Sequence, residues 1–451
     1  REGDAMGVNR RSFIKYASLA AAGNAAALGP FGALNALAQG ATDYKALVCV
    51  FLFGGNDANN TLIQFDTAGY ANYATVRGPL AIAQNQLIQL SAMPTFALNP
   101  NLPDIATLFN NKNAAFVANV GTLIEPTTKA QYKAGTGLPT NLFSHPDQQL
   151  EWQNAAQSGA TSTGWAGRIA DQLNSAYNSG AQVPMITSVA GDTLFCNGNS
   201  STPVSVSPGN LGGALCSEGT TECGAQLVTA QALLSFNSGL TLVQADNTIT
   251  SNAYSYAKTL TAAVQSVTPL KTVFPTNNPL GAQLQQIAQI IQVRAALGVS
   301  RQIFFCGLGN FDTHSNQLAF QNALLASISP ALAAFYAATV EMGVQNSVTS
   351  FTMSDFSRTF QPNSNTGSDH AWGSHHIVMG GAVKGGQMYG TFPTLALNGP
   401  DDSGTNGRWV PSTGSVQYAA TLASWFGVSA AQMPTIFPNI GSFSTANLGF
   451  V

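Results

Sequence analysis

Lys45-Ala-Leu-Val-Cys-Val-Phe-Leu-Phe53 runs without interruption into Gly54-Gly55-Asn56-Asp57. A short apolar run rich in β-branched and aromatic residues, stopped by turn formers, reads as a strand buried on both faces, as in a parallel sheet. The same pattern recurs at 114–120, before Gly121, and at 302–306, before Gly307. It recurs again at 347–352, and shorter cases lie at 184–189 and 377–379. Between these runs, residues 105–111, 148–156, 165–177, 280–297 and 317–342 read as helices. The last two carry Leu, Ile, Ala and Phe at intervals of three and four. Strands alternating with helices imply an α/β fold whose mostly parallel central sheet is covered by helices on both faces. No internal repeat is present, so residues 39–451 read as a single domain. The turn-rich stretch at about 191–225 reads as a loop-rich insertion on it.

Charge is scarce: 17 Lys and Arg stand against 20 Asp and Glu in 451 residues, with five His. A net charge of −3 leaves no basic surplus for a phosphate backbone, so no nucleic-acid partner is expected. Hydrophobic residues at 45% exclude a disordered chain.

The N-terminus reads as an address. Asn9-Arg-Arg-Ser-Phe-Ile-Lys15 precedes a mild Ala/Gly/Leu run that ends at Ala36-Leu-Ala38. Paired arginines, a weakly apolar stretch and small residues at the cleavage positions form a twin-arginine export signal, here residues 1–38. Asn24, Pro30 and Asn35 interrupt the run, so no stable membrane span is expected from it. The expected partner is the twin-arginine export machinery, and the expected location is periplasmic or secreted. Cys49 and Cys306 lie in strand-like runs and read as buried thiols, whereas an oxidising compartment would permit one disulfide among Cys196, Cys216 and Cys223.

In open α/β sheets ligands collect beyond the carboxyl ends of the strands. The ionisable residues fall there. Asp57 follows the first run, and Ser144 and His145 open the helix after the second. Asp312 and His314 follow the 302–306 run, Asp355 follows the 347–352 run, and Asp369, His370, His375 and His376 precede the last. Mixed Asp/His ligation suits zinc, manganese or iron, and pairs from separate segments would build two adjacent divalent metal positions. The Asp312-x-His314 step places both side chains on one face of an extended segment. Alternation along a strand sends one of His375 and His376 to the site, and His375 is preferred. Ser144 at a helix start reads as a nucleophile, and Arg358 as a bidentate clamp for a tetrahedral oxyanion. Taken singly, Ser144 is more often a helix cap and Arg358 more often a structural ion-pair partner.

Phe51-Leu-Phe-Gly-Gly-Asn-Asp57, Asn310-Phe-Asp-Thr-His-Ser-Asn-Gln317, Ser354-Asp-Phe-Ser-Arg-Thr359 and Gly367-Ser-Asp-His-Ala-Trp372 resemble the bacterial "domain of unknown function 1501" family. Gly380-Gly-Ala-Val-Lys-Gly-Gly386, Gly407-Arg-Trp409 and the 417–427 and 437–439 segments fit its C-terminal part. The family is similar in turn to the alkaline phosphatase and sulfatase superfamily. That resemblance implies an alkaline-phosphatase-like, two-metal hydrolase core, with Asp57, Asp312, His314, Asp355 and His370 or His375 as ligands and Ser144 as nucleophile. Its substrates would be small anionic phosphate or sulfate esters. The competing expectation is a catalytically inactive envelope or extracellular protein on the same fold, binding a surface glycan or assembling as an oligomer. An oxidoreductase is disfavoured, because the 380–386 glycines lack the GxGxxG spacing and lie far from the first strand.

Overall fold

The computed structural model describes residues 43–155, 162–211 and 222–451. The export-signal reading of residues 1–38 and Cys216 lie outside the described residues.

The strands, in chain order, are β1 (Lys45–Leu52), β2 (Leu62–Gln64), β3 (Ile88–Gln89), β4 (Phe96–Leu98), β5 (Ala114–Gly121) and β6 (Ile186–Ser188). They continue with β7 (Val204–Ser205), β8 (Arg301–Leu308), β9 (Val348–Ser354), β10 (Ser374–Met379), β11 (Met388–Tyr389) and β12 (Thr413–Gly414). Nine of them form one sheet in the order β11-β5-β10-β9-β1-β8-β6-β7, with β12 also pairing with β5. The run that opens the sequence analysis is central, parallel to β8 on one side and to β9 on the other. One strand breaks the parallel pattern: β10 is antiparallel to both β9 and β5. The strands β2, β4 and β3 make a separate small sheet.

The side chains of β1 show why this strand sits at the centre. Ala46, Val48, Val50 and Leu52 belong to one apolar cluster, and Leu47, Cys49 and Phe51 to the other. A strand alternates its side chains between faces, so an unbroken apolar run needs a covered layer on each side. The helices are α1 (Thr67–Arg77), α2 (Pro103–Asn110), α3 (Lys129–Ala134), α4 (His145–Asn154), α5 (Trp165–Tyr177), α6 (Glu222–Leu234) and α7 (Thr241–Gln265). They end with α8 (Pro279–Gln292), α9 (Gln317–Glu341), α10 (Ser415–Phe426) and α11 (Met433–Ile436). On one face of the sheet lie α2, α8 and α9, through Ile105, Leu284, Ile287, Leu332 and Phe335; on the other lie α4, α5 and α10, through Trp152, Trp165, Ile169, Tyr418 and Leu422. Among the described residues α9 alone is long and apolar enough to cross a membrane, and Leu325, Ile328, Leu332 and Phe335 seat it in the core.

The α/β architecture with a mostly parallel sheet is therefore the one read from the sequence. Helices α1, α3, α6, α7, α10 and α11 are additions to that reading. Cys49, Cys196 and Cys306 are free, buried thiols, so Cys196 does not supply the expected disulfide. Its environment is apolar, beside Phe195 and α5 in the second cluster.

His375 and His376 are corrections of a different kind, because both lie inside β10 and are fully buried. His375 is stacked on Phe392 with ring centroids 4.6 Å apart, and its Nδ1 accepts from the Asn119 backbone N–H. His376 packs against Trp152 and Tyr418. Burial pushes both imidazoles down to about 3, so the folded chain holds them neutral. The unfolded chain protonates them below about pH 6.5. Stability is therefore unaffected above that pH, and each histidine removes up to about 1.4 kcal/mol per pH unit as pH falls from 6.5 toward 3. Among the described residues the Nε2 of His376 has no partner and its Nδ1 has only a long contact of 3.4 Å with Thr352 Oγ1, so a His376→Phe substitution keeps the ring packing. We expect its urea midpoint to match wild type at pH 7.5 and to exceed it at pH 5; equal midpoints at pH 5 would contradict the assignment.

Candidate metal centre

The reversed direction of β10 decides where its preceding residues lie. Parallel strands β1, β8, β9 and β5 all end at one edge of the sheet, and an antiparallel strand begins at that edge. The loops after β5, β8 and β9 and the loop before β10 therefore meet there, bringing His145, Asp312, His314, Asp355, Asp369 and His370 together.

Gly54 lets the end of β1 close on this cluster. It has φ +111°, and a Cβ there would stand 2.4 Å from the Asp312 backbone N. Only a glycine permits that approach. Its N–H donates to Asp355 Oδ1 at 3.1 Å.

Three donor atoms converge at this place, and a fourth, His314 Nε2, borders two of them. His145, Asp312 and His370 each bring one ligand atom within 4.8 Å of the others. The His370 Nε2 is 3.0 Å from His145 Nε2 and 2.9 Å from His314 Nε2. Asp312 Oδ1 lies 3.0 Å from His314 Nε2, 3.4 Å from His370 Nε2 and 3.5 Å from His145 Nε2. A tetrahedral zinc ion with ligands at about 2.0–2.1 Å has donor-to-donor edges of about 3.3–3.4 Å. The spacing of the His145, Asp312 and His370 donors is compatible with three ligands of such an ion.

The other nitrogen of each histidine explains the orientation. His145 Nδ1 is 2.7 Å from Asp355 Oδ2, His314 Nδ1 is 3.3 Å from Asp369 Oδ1, and His370 Nδ1 is 2.6 Å from the Phe143 carbonyl oxygen. Acceptors at all three positions place the protons on Nδ1, which leaves each Nε2 with a lone pair. The lone pairs of His145 and His370 and the Asp312 carboxylate oxygen repel one another at this separation, and a cation between them would convert that repulsion into coordination. Imidazole nitrogens suit zinc, iron and related transition metals, whereas calcium and magnesium prefer oxygen alone.

The Asp355 hydrogen bond raises His145 above the ordinary histidine range, and burial lowers His370. Burial pushes the Asp312 carboxyl up, but Arg358 and the three histidines outweigh it and hold the group below the usual carboxylate range. The Asp312 and His314 side chains are each 45% exposed, so the cluster opens to solvent, while the Asp355 side chain is wholly covered.

The expected site residues thus separate into three groups. Asp312 and His370 converge with His145, and His314 borders Asp312 and His370. Asp355 stands one bond behind them: its oxygens are taken by Gly54 N–H, His145 and Gln149 Nε2, the last at 2.8 Å, so it orients a ligand rather than being one. Asp57 and His375 do not reach the cluster. The Asp57 carboxylate is buried, paired with Arg77 and hydrogen-bonded by Gln317, and His375 points into the packing of β10.

Arg358 is also a correction. Its side chain is fully covered, and its guanidinium donates to Asp312 at 3.0 Å and to the Ser368 carbonyl at 2.7 Å. It secures Asp312 instead of facing a substrate. Ser144 caps α4 by position without a side-chain capping bond, and its Oγ–H donates to Asp147. The described donors make one cluster, not the two positions that separate Asp/His pairs would build. His145, missing from the expected ligands, was visible as the residue beside Ser144, but a His-Pro-Asp helix start reads equally well as a capping sequence.

The chain belongs to the family described as "Protein of unknown function (DUF1501)", whose model matches residues 44–406. No curated protein matches it. Among solved structures it is similar to Ps i-CgsB in complex with k-i-k-neocarrahexaose, at 11% identity and TM-score 0.35, covering 88% of this chain and 77% of that one. It is also similar to the lipoteichoic acid synthase LtaP from Listeria monocytogenes, at 7% identity and TM-score 0.34, covering 87% and 74%. A 2-O GAG sulfatase follows at 10% identity and TM-score 0.30, covering 88% and 74%.

Two substitutions separate the roles of the acids. Asp355→Asn should weaken zinc binding by about 10- to 100-fold, because the partner that fixes the His145 tautomer is altered. Asp57→Asn should leave the zinc content unchanged and lower stability by about 3–5 kcal/mol, since Arg77 is left buried without its counter-charge. Competition with a chromogenic chelator and urea unfolding report the two quantities.

Proposed function

We propose that this chain is an exported, metal-dependent hydrolase of phosphate or sulfate esters. The observation that carries the reading is the convergence of two histidine nitrogens, of His145 and His370, and the Asp312 carboxylate at the carboxyl ends of the parallel strands, with Ser144 next to His145 in the chain. His145, His370 and Asp312 would hold a single divalent transition-metal ion, with His314 at its border. A cation held there supplies Lewis-acid stabilisation to an anionic ester oxygen. The residues of the chain supply the rest. Ser144 is adjacent to His145, and its hydroxyl is not consumed by capping the helix. Its oxygen forms the new bond to phosphorus or sulfur while the bond to the leaving oxygen breaks, with the electron pair going to that oxygen. The Ser144 proton passes to Asp147, its hydrogen-bond acceptor, and water then cleaves the seryl ester. Arg358 keeps Asp312 ionised and in place. Export is supported by the twin arginines at Arg10 and Arg11 and the apolar run after them.

A second reading, binding or assembly without turnover, is favoured by one observation. The outer ends of α6 and α7 and their connection expose Leu233, Phe236, Leu240 and Leu242 at 63–86%. Exposed apolar residues grouped this way are typical of contact surfaces.

Turnover of an aryl phosphate and an aryl sulfate by zinc-loaded protein distinguishes the two. We expect hydrolysis of at least one, reduced by about a thousandfold or more in Ser144→Ala at unchanged zinc content. Full zinc occupancy without turnover of either ester would remove the hydrolase and leave the binding reading. An unchanged rate in His370→Ala would remove the metal from the reaction.

A further inference from the structure

The metal-end cluster needs a group to receive the substrate's anionic oxygens, and Arg358 is not available for it. We infer that Arg408 is the residue that binds a tetrahedral oxyanion, phosphate or sulfate, at the mouth of this site. The inference rests on reading the site as one for anionic esters, and it names the residue that recognises their shared chemistry.

Arg408 is half-buried and its guanidinium is fixed in two ways. Its Nε donates to the His370 backbone carbonyl at 2.8 Å, and the guanidinium carbon lies 4.7 Å from the centroid of the Phe143 ring. Both partners belong to the cluster: His370 brings a donor nitrogen, and Phe143 orients His370 through its carbonyl and directly precedes Ser144. Phe143 itself is held at φ +77°, an unusual backbone conformation for an aromatic residue. The backbone of Arg408 is equally constrained. Its N–H donates to Asp402 Oδ1, and its carbonyl accepts from the Ser403 backbone and hydroxyl.

What remains unassigned is the guanidinium's outer edge. Asp402, the carboxylate held closest in this loop, accepts backbone N–H groups from Asn398, Gly404, Gly407 and Arg408, so its oxygens are occupied in shaping the loop. Among the described residues no carboxylate forms an ion pair with Arg408, in contrast to Arg77, Arg301 and Arg358. A guanidinium stacked on an aromatic ring and tied through Nε presents its two terminal amino groups as a rigid fork, which matches two oxygens of a phosphate or sulfate. A lysine would keep the charge but lose both the stack and the fork.

The test titrates inorganic phosphate and, separately, inorganic sulfate into the zinc-loaded full chain by calorimetry. Wild type is compared with Arg408→Gln and Arg408→Lys, with zinc content and thermal midpoint measured for each. Wild type should bind at least one anion, the two arms showing which. Arg408→Gln should weaken that binding by about tenfold or more at unchanged zinc content, and Arg408→Lys should also bind less tightly than wild type. Equal affinity in the folded variants, or no binding of either anion by wild type, overturns the inference. If Arg408→Gln does not fold, the Arg408→Lys comparison decides. Arg408-dependent anion binding without ester turnover would remove the hydrolase reading and leave this one. Ester turnover with anion binding indifferent to both substitutions would do the reverse.

Discussion

The direction of one strand governs the chemistry of this chain. Were β10 parallel to its neighbours, the loop before it would lie at the opposite edge of the sheet, and His370 and Asp369 would be separated from His145, Asp312 and Asp355 by the length of the strands. Running β10 backwards between β9 and β5 delivers a loop to the edge that already collects three others. The sheet thus acts as a jig: hydrogen bonds along β1, β8 and β9 fix the heights of Asp312 and Asp355, and the β10–β5 ladder fixes His370.

Around the convergence point, charge is deployed to hold other charge. Arg358 secures Asp312, Asp355 holds His145, and Asp369 faces His314 while accepting from Asn363. Farther back, Ser368 donates to Gln317, which donates to Asp57, which pairs with Arg77. Buried polar groups of this kind are costly when left incomplete, so such a network rigidifies its members when all of them are satisfied. In a chain with few ionisable residues, so many at one end is an unequal distribution.

Much of the fold is legible in the sequence because burial on both faces leaves unbroken apolar runs, as in β1, β5, β8 and β9. The direction of β10 is not, since polarity at Ser374, His375 and His376 hides the start of the strand and no local pattern encodes orientation. Helix α7 is hidden for another reason: its Thr, Ser and Asn content gives no apolar stripe, and its outer half meets little of the core. At the site, position after a strand marks Asp57, Asp312 and Asp355 alike. What separates them is Arg77, twenty residues from Asp57 in the chain, and Gln149 and His145, two hundred from Asp355; those neighbours exist only once the chain is folded. The free edge of Arg408 was equally invisible, because an arginine's availability depends on which carboxylates stand near it.

Asp355 joins three segments at once: the end of β1 through Gly54, and the start and second turn of α4 through His145 and Gln149. An ion drawn into the cluster would therefore clasp the same loops from the open side that Asp355 clasps from within. Binding to the folded chain and not to the unfolded one raises stability with the logarithm of free ligand concentration. The concentration of such an ion in the surroundings would then become a variable of the fold itself, and its loss to a competitor would lower the resistance of the chain to unfolding.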